Sequence, residues 1–171
     1  TRAPGGVGLS LPCAIRDRHQ YRLRLMELQR QGWEHRPMTM QLLLVDDSAL
    51  IRVSLSDLLS SIDGLDTIST ATTLAEAIES VRSNKPTFAI VDLHLPDGNA
   101  ADALGTMKQL APDMQIAVLT NDASAFNRKR CMRSGADWFF DKSTEFEEVI
   151  ELVRTQAASR RASVDQRKVQ P

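Results

Sequence analysis

The chain has 171 residues, 42% hydrophobic and 25% charged, a composition normal for one globular core with tails. No apolar run approaches the roughly 20 residues of a membrane span and no continuous apolar segment opens the chain, which gives a cytoplasmic reading with no membrane partner. The net charge of −1 divides into +4 over residues 1–39, −8 over residues 40–156 and +3 over residues 157–171, so the acidic centre argues against direct DNA binding by the domain.

The first 39 residues stand outside any βα rhythm. Gly5, Gly6 and Gly8 suggest a flexible start, and Ile15–Gln31 has the pattern of a short basic amphipathic helix with Tyr21, Leu25 and Leu28 on one face. Such a helix suits a partner. The favoured alternative is an upstream extension, because the chain begins with Thr1 and Met38 or Met40 directly precedes the first strand. Cys13 and Cys131 are far apart and lack the neighbouring Cys or His of a zinc site, which fits a reducing compartment.

From residue 40 to residue 156, β-rich runs alternate with helical periods, the pattern of a parallel sheet covered on both faces. The expected strands are Gln41–Val45, Leu65–Ala71, Phe88–Asp92, Gln115–Thr120 and Asp137–Phe140. Ile51, Leu55, Leu58, Leu59 and Ile62 form the first helical stripe; Leu74, Ala77, Ile78 and Val81 form the second, opened by a Thr73/Glu76 capping box. Ala100, Ala103, Leu104 and Met107 form the third. The fourth helix, Ala123 to Ser134, has only Phe126 and Met132 around Arg128, Lys129 and Arg130; it reads either as the least firmly docked helix or as an ordinary surface helix with a solvated face. Phe146, Val149, Ile150 and Val153 mark the last, with Ser143 or Thr144 as N-cap. Residues 157–171, polar and basic, read as a disordered tail.

In an open parallel sheet the binding crevice lies beyond the carboxyl ends of the strands. Those ends are strongly polar: Asp46 and Asp47 follow the first strand, Asp92 closes the third, Thr120 the fourth, and Lys142 follows the fifth. Converging carboxylates repel unless a cation intervenes. An oxygen-only donor set suits a hard ion, and Mg²⁺, which takes one or two carboxylates and keeps waters and phosphate oxygens, fits better than Ca²⁺ or zinc. With Mg²⁺ held by Asp46 and Asp47, Asp92 is placed to act as nucleophile on a phosphoryl donor, and Lys142 and Thr120 to meet the phosphoryl oxygens. Each residue alone has a plainer reading: Asp47 or Ser48 as a helix N-cap, Thr120 as a common strand end, Lys142 as a solvated lysine. Their joint placement at strand ends favours the chemical reading.

Residues 41–155 resemble the receiver domain of bacterial two-component response regulators, through Leu-Leu-Leu-Val-Asp-Asp at 42–47, Val-Asp-Leu-His-Leu-Pro-Asp-Gly at 91–98, Val-Leu-Thr at 118–120 and Gly-Ala-Asp-Trp-Phe-Phe-Asp-Lys at 135–142. The resemblance implies a flavodoxin-like, doubly wound five-stranded sheet of order 2-1-3-4-5. It implies phosphotransfer from a sensor histidine kinase to Asp92, with Mg²⁺ on Asp47, Asp92 and the backbone carbonyl of His94, and Asp46 behind them. It further implies that Thr120 and Phe139 form the switch, that His94 and Asp122 tune loss of the phosphoryl group, and that a downstream protein target or a homodimer uses the fourth helix, fifth strand and fifth helix. Ser143 replaces the usual Pro after the lysine, and Asn121 is larger than the usual residue after the Thr.

The expected function is therefore a phosphorylation-dependent signalling switch rather than an enzyme, acting as a stand-alone receiver or as the receiver part of a longer regulator. A phosphohydrolase working through an aspartyl phosphate would generally need a second Asp where His94 stands. A nucleotide-binding module would need a Gly-rich loop after the first strand, and none is there.

Overall fold

The computed structural model describes residues 39–168; the N-terminal extension, including the expected helix at 15–31, lies outside them. Numbering the strands of the main sheet in chain order, the elements are β1 (Met40–Val45), α1 (Ala49–Ser60), β2 (Leu65–Ala71), α2 (Leu74–Asn84), β3 (Phe88–Val91), α3 (Ala100–Leu110), β4 (Gln115–Thr120), α4 (Ala125–Ser134), β5 (Trp138–Asp141) and α5 (Phe146–Lys168). His94–Leu95 and Gly98–Asn99 form a separate two-residue antiparallel ribbon. The main sheet has the order β2-β1-β3-β4-β5 with every pairing parallel, as expected.

β1, β3 and β4 read as unbroken apolar runs because helices cover both of their faces. Strand alternation sends Leu43, Val45, Ala89, Val91, Ile116, Val118 and Phe139 into one cluster with Ala77, Val81, Leu104, Met107 and Cys131 from α2, α3 and α4. The opposite face buries Leu42, Leu44, Phe88, Ile90, Leu119 and Phe140 beside Leu55 and Leu59 of α1 and Val149 and Val153 of α5. Trp138 stacks on Phe88 with ring centroids 5.8 Å apart.

The first two helices start at expected caps, with one shift of partner. Ser48 caps α1, accepting from the Ile51 amide, and Thr73 caps α2, accepting from the Glu76 amide. The Glu76 carboxylate reaches the Thr72 amide at 2.7 Å rather than that of Thr73, one residue off the expected capping box. Asp97 completes this helix end from 23 residues away: its two oxygens accept from the Leu74 and Ala75 amides at 2.8 and 3.0 Å. The next residue, Gly98, has φ +149°, and a Cβ there would stand 3.3 Å from Leu74 Cδ1.

Two expectations about α5 are corrected. Neither Ser143 nor Thr144 starts it: the helix begins at Phe146, and the Ser143 amide and hydroxyl both donate to Asp141 Oδ1, at 2.8 and 2.6 Å. A neighbouring carboxylate two residues back outcompetes the helix for this serine. The helix also continues past residue 156 to Lys168, with Ala157 and Arg160 buried. Arg160 Nη2 donates to the Thr87 carbonyl at 3.4 Å, and Gly64, at φ +91°, lies so close that a Cβ would meet the Ala157 carbonyl oxygen at 2.9 Å. The first residues of the expected tail therefore belong to the domain, because Ala157 and Arg160 continue the spacing of Val149 and Val153.

Candidate active site at the strand ends

Parallel pairing brings the ends of β1, β3, β4 and β5 to one edge of the sheet, and the next residue of each chain segment leaves into a loop there. The Asp92 amide donates to the Val45 carbonyl at 2.8 Å and the Lys142 amide to the Thr120 carbonyl at 2.9 Å. These ladder extensions fix the positions of both residues.

Asp46 is only 2% exposed, whereas Asp47 points to solvent and Asp92 is half-buried. One carboxylate oxygen from each of the three lies within 4.8 Å of the others. Lys142, its side chain 8% exposed, donates from Nζ to Asp46 Oδ2 at 2.6 Å and to Asp92 Oδ2 at 2.5 Å. Burial works against the Lys142 ammonium, but the hydrogen bonds and charges of the two aspartates outweigh it and raise its affinity for the proton above that of a free lysine. The other oxygen of Asp46 accepts from the Ser48 amide at 2.9 Å, and Arg52 Nη1 donates to the Asp46 carbonyl at 2.6 Å. Asp46 is thus fully engaged, while Asp47 is the open carboxylate.

Three carboxylates and one ammonium leave the cluster with a formal charge of −2. A divalent hard cation would neutralise that charge, and an all-oxygen donor set of this spacing fits one. The predicted site residues Asp46, Asp47, Asp92 and Lys142 are therefore brought together. Thr120 is buried at the end of β4, and its Oγ1 accepts from the Asp122 amide at 3.1 Å.

At the rim, His94 Nε2 and Asp122 Oδ2 are 3.1 Å apart, joining the loops after β3 and β4. The hydrogen bond from His94 holds the Asp122 carboxyl below the usual carboxylate range. His94 is thus paired across the rim by its side chain.

Phe139 is buried on β5. The carbon of the Arg128 guanidinium lies 4.9 Å from its ring centroid, and Arg128 Nη1 donates to the Phe139 carbonyl at 2.8 Å. Sequence reading treated Arg128 as part of a charged surface, and it did not find Asp97 or Arg52. Their contacts span 11, 23 and 6 residues respectively, and only the Arg128 position within a thin apolar stripe offered a hint.

Comparison with known proteins adds to this geometry. Residues 42–154 match the family described as response regulator receiver domain. The chain is 31% identical over 117 residues to a DNA-binding transcriptional activator, DevR/DosR, of Mycobacterium tuberculosis, an alignment covering 68% of this chain and 54% of the relative. It therefore spans about half the length of that relative. Among solved structures, a CheY-like receiver domain protein from Methanospirillum hungatei superposes with TM-score 0.65 at 23% identity, covering 73% of this chain and 98% of the other, a likeness of fold. A Burkholderia pseudomallei response regulator, solved with a phosphorylated aspartic acid, a calcium ion and citrate, gives TM-score 0.61 at 25% identity, covering 76% and 73%.

Proposed function

Because the chain belongs to the response regulator receiver family, we propose that Asp92 is its phosphoacceptor, taking the group from a histidine kinase, and that Thr120, Phe139 and Lys142 convert the modification into a change of surface. The observation that carries this reading is the buried Lys142 bridge, which joins Asp92 to Asp46 inside a cluster of three carboxylates. Receiver domains are signalling switches that hold a divalent metal at such a cluster.

In the transfer, an Asp92 carboxylate oxygen attacks phosphorus, the O–P bond forms as the P–N bond to the donor imidazole breaks, and the imidazole leaves with the bonding pair and takes up a proton. Asp92 gives up its contact with Lys142 as it becomes an acyl phosphate, and the ammonium follows the charge to a phosphoryl oxygen. Asp47 and Asp92, with the His94 carbonyl carried over from the family, would hold Mg²⁺, with Asp46 supporting from its place behind Lys142. The cation would screen the carboxylates and the phosphoryl oxygens. Thr120 releases the Asp122 amide to meet a phosphoryl oxygen, and His94 and Asp122, paired at the rim, govern how readily water reaches the site.

The output face is assigned to α4, β5 and α5. Along α4, Phe126 is 73% exposed, Lys129 and Arg133 share its outward side, and the helix carries no acidic residue. Along α5, Glu147, Glu148 and Glu151 face outward. That charge pairing supports both a protein target and a homodimer on this face.

Incubation with acetyl phosphate and Mg²⁺, followed by intact-mass measurement, tests the assignment. Wild type gains one phosphoryl group; Asp92→Asn and chelated wild type gain none. Equal modification of Asp92→Asn would overturn it.

A further inference from the structure

We propose that Arg128 is a positioning residue that holds Phe139 inward and α4 against β5, giving the switch a second determinant outside the carboxylate cluster. This rests on the proposed role of Phe139, but the contacts of Arg128 involve no atom of Asp46, Asp47, Asp92 or Lys142.

A single guanidinium covers three targets. It lies over the Phe139 ring, with 4.9 Å from its carbon to the centroid, and donates through Nη1 to the Phe139 carbonyl at 2.8 Å. Its Nη2 stands 3.6 Å from Glu145 Oε2, which in turn accepts from the Asp141 amide at 2.8 Å. Asp141 is the residue before Lys142. Arg128 thus joins α4 to the ring, to the backbone of β5 and to the turn that carries the lysine.

α4 has fewer apolar anchors than α3. Its buried residues are Asn127 and Cys131, with Met132 packed at the edge of the core cluster, and its Arg130 contact to Asp102 on α3, at 2.6 Å, joins a half-buried side chain to an exposed one, a pair whose contribution solvent screening limits. Because the guanidinium lies over the ring, moving the Phe139 ring disturbs a contact that also holds α4, so ring movement and loosening of α4 are coupled. The chemistry calls for arginine: a planar fork can stack on a ring while donating in its own plane, and a lysine cannot satisfy ring, carbonyl and carboxylate together.

The test uses the whole, unmodified chain and compares wild type, Arg128→Met and Arg128→Lys by amide hydrogen exchange and by the NMR shifts of the Phe139 ring. In Arg128→Met, the amides of 125–134 exchange about tenfold faster or more, as expected for loss of a charge-assisted hydrogen bond in a locally opening helix. The amides of α2 and α3 stay at their wild-type rates, and the Phe139 ring resonances move. Arg128→Lys recovers part of the α4 protection. Adding Glu145→Gln to Arg128→Met accelerates α4 by less than Glu145→Gln does in wild type, because the two act through one contact. Unchanged α4 exchange and ring shifts in Arg128→Met would overturn the inference, as would equal acceleration of α2 and α3. Should Arg128→Met not fold, the same criteria apply to Arg128→Lys alone. Failure of wild type to accept a phosphoryl group would contradict the proposed function without altering this result.

Discussion

Helices α3 and α4 stand side by side on the same face of the sheet, and the loops leading into them carry the two rim residues, His94 and Asp122. Yet they are held in different ways. α3 buries Ala100, Ala101, Ala103, Leu104 and Met107, whereas α4 buries only Asn127 and Cys131 and relies on Arg128 and Arg130 for its outward contacts. Apolar packing fixes an element through many small contacts and changes little with local charge. Polar clasps are few, directional and open to competition from a new charge nearby. The His94–Asp122 rim thus joins a loop leading into a helix held by apolar packing to a loop leading into one held by polar clasps.

The contrast can be broken most severely from the α3 side. Leu104→Ala removes a fully buried side chain from the main cluster and is expected to cost about 2–5 kcal/mol in denaturant unfolding. The docking of α5 is tested next: Gly64→Ala would press a Cβ to 2.9 Å from the Ala157 carbonyl at φ +91°, a strain of about 1–3 kcal/mol. A wild-type midpoint in that variant would detach residues 157 onward from the domain.

Asp97→Asn is expected to have a smaller and pH-dependent effect. The Leu74 and Ala75 amides, in that order, hold the Asp97 carboxyl below its usual value of 3.8. A carboxyl depressed on folding stabilises the fold above pH 3.8 and loses that contribution as pH falls through its folded value. The Tm difference between wild type and Asp97→Asn should therefore be fully developed at neutral pH and shrink in acid; a constant difference would remove Asp97 from its capping role. At the far end, Phe126→Ala on α4 should change stability by no more than about 0.5 kcal/mol, since the ring is 73% exposed, while weakening any partner bound on that face.

The apolar runs of β1, β3 and β4 and the stripe of α3 were legible in the sequence because period and burial coincide in them. So was the placement of Asp46, Asp47, Asp92, Thr120 and Lys142 along one edge of the sheet, because the end of a strand has only one place to go in a parallel sheet. The end of the domain was misread: composition suggested a tail where Ala157 and Arg160 extend the buried stripe of α5, and periodicity was the better guide. Contacts made by long side chains between elements were invisible. Asp97 stood only as a member of the 91–98 motif and Arg128 as part of a charged surface, and nothing local to either says which amide or ring it will meet.

The most direct measurement of the central claim is amide hydrogen exchange of wild type and Asp92→Asn, each with and without beryllofluoride and Mg²⁺. In wild type, exchange should change in the loop after β4, in α4 and in β5 while α3 keeps its rates, and Asp92→Asn should show no response. Equal changes in α3 and α4, or the same response in Asp92→Asn, would contradict it.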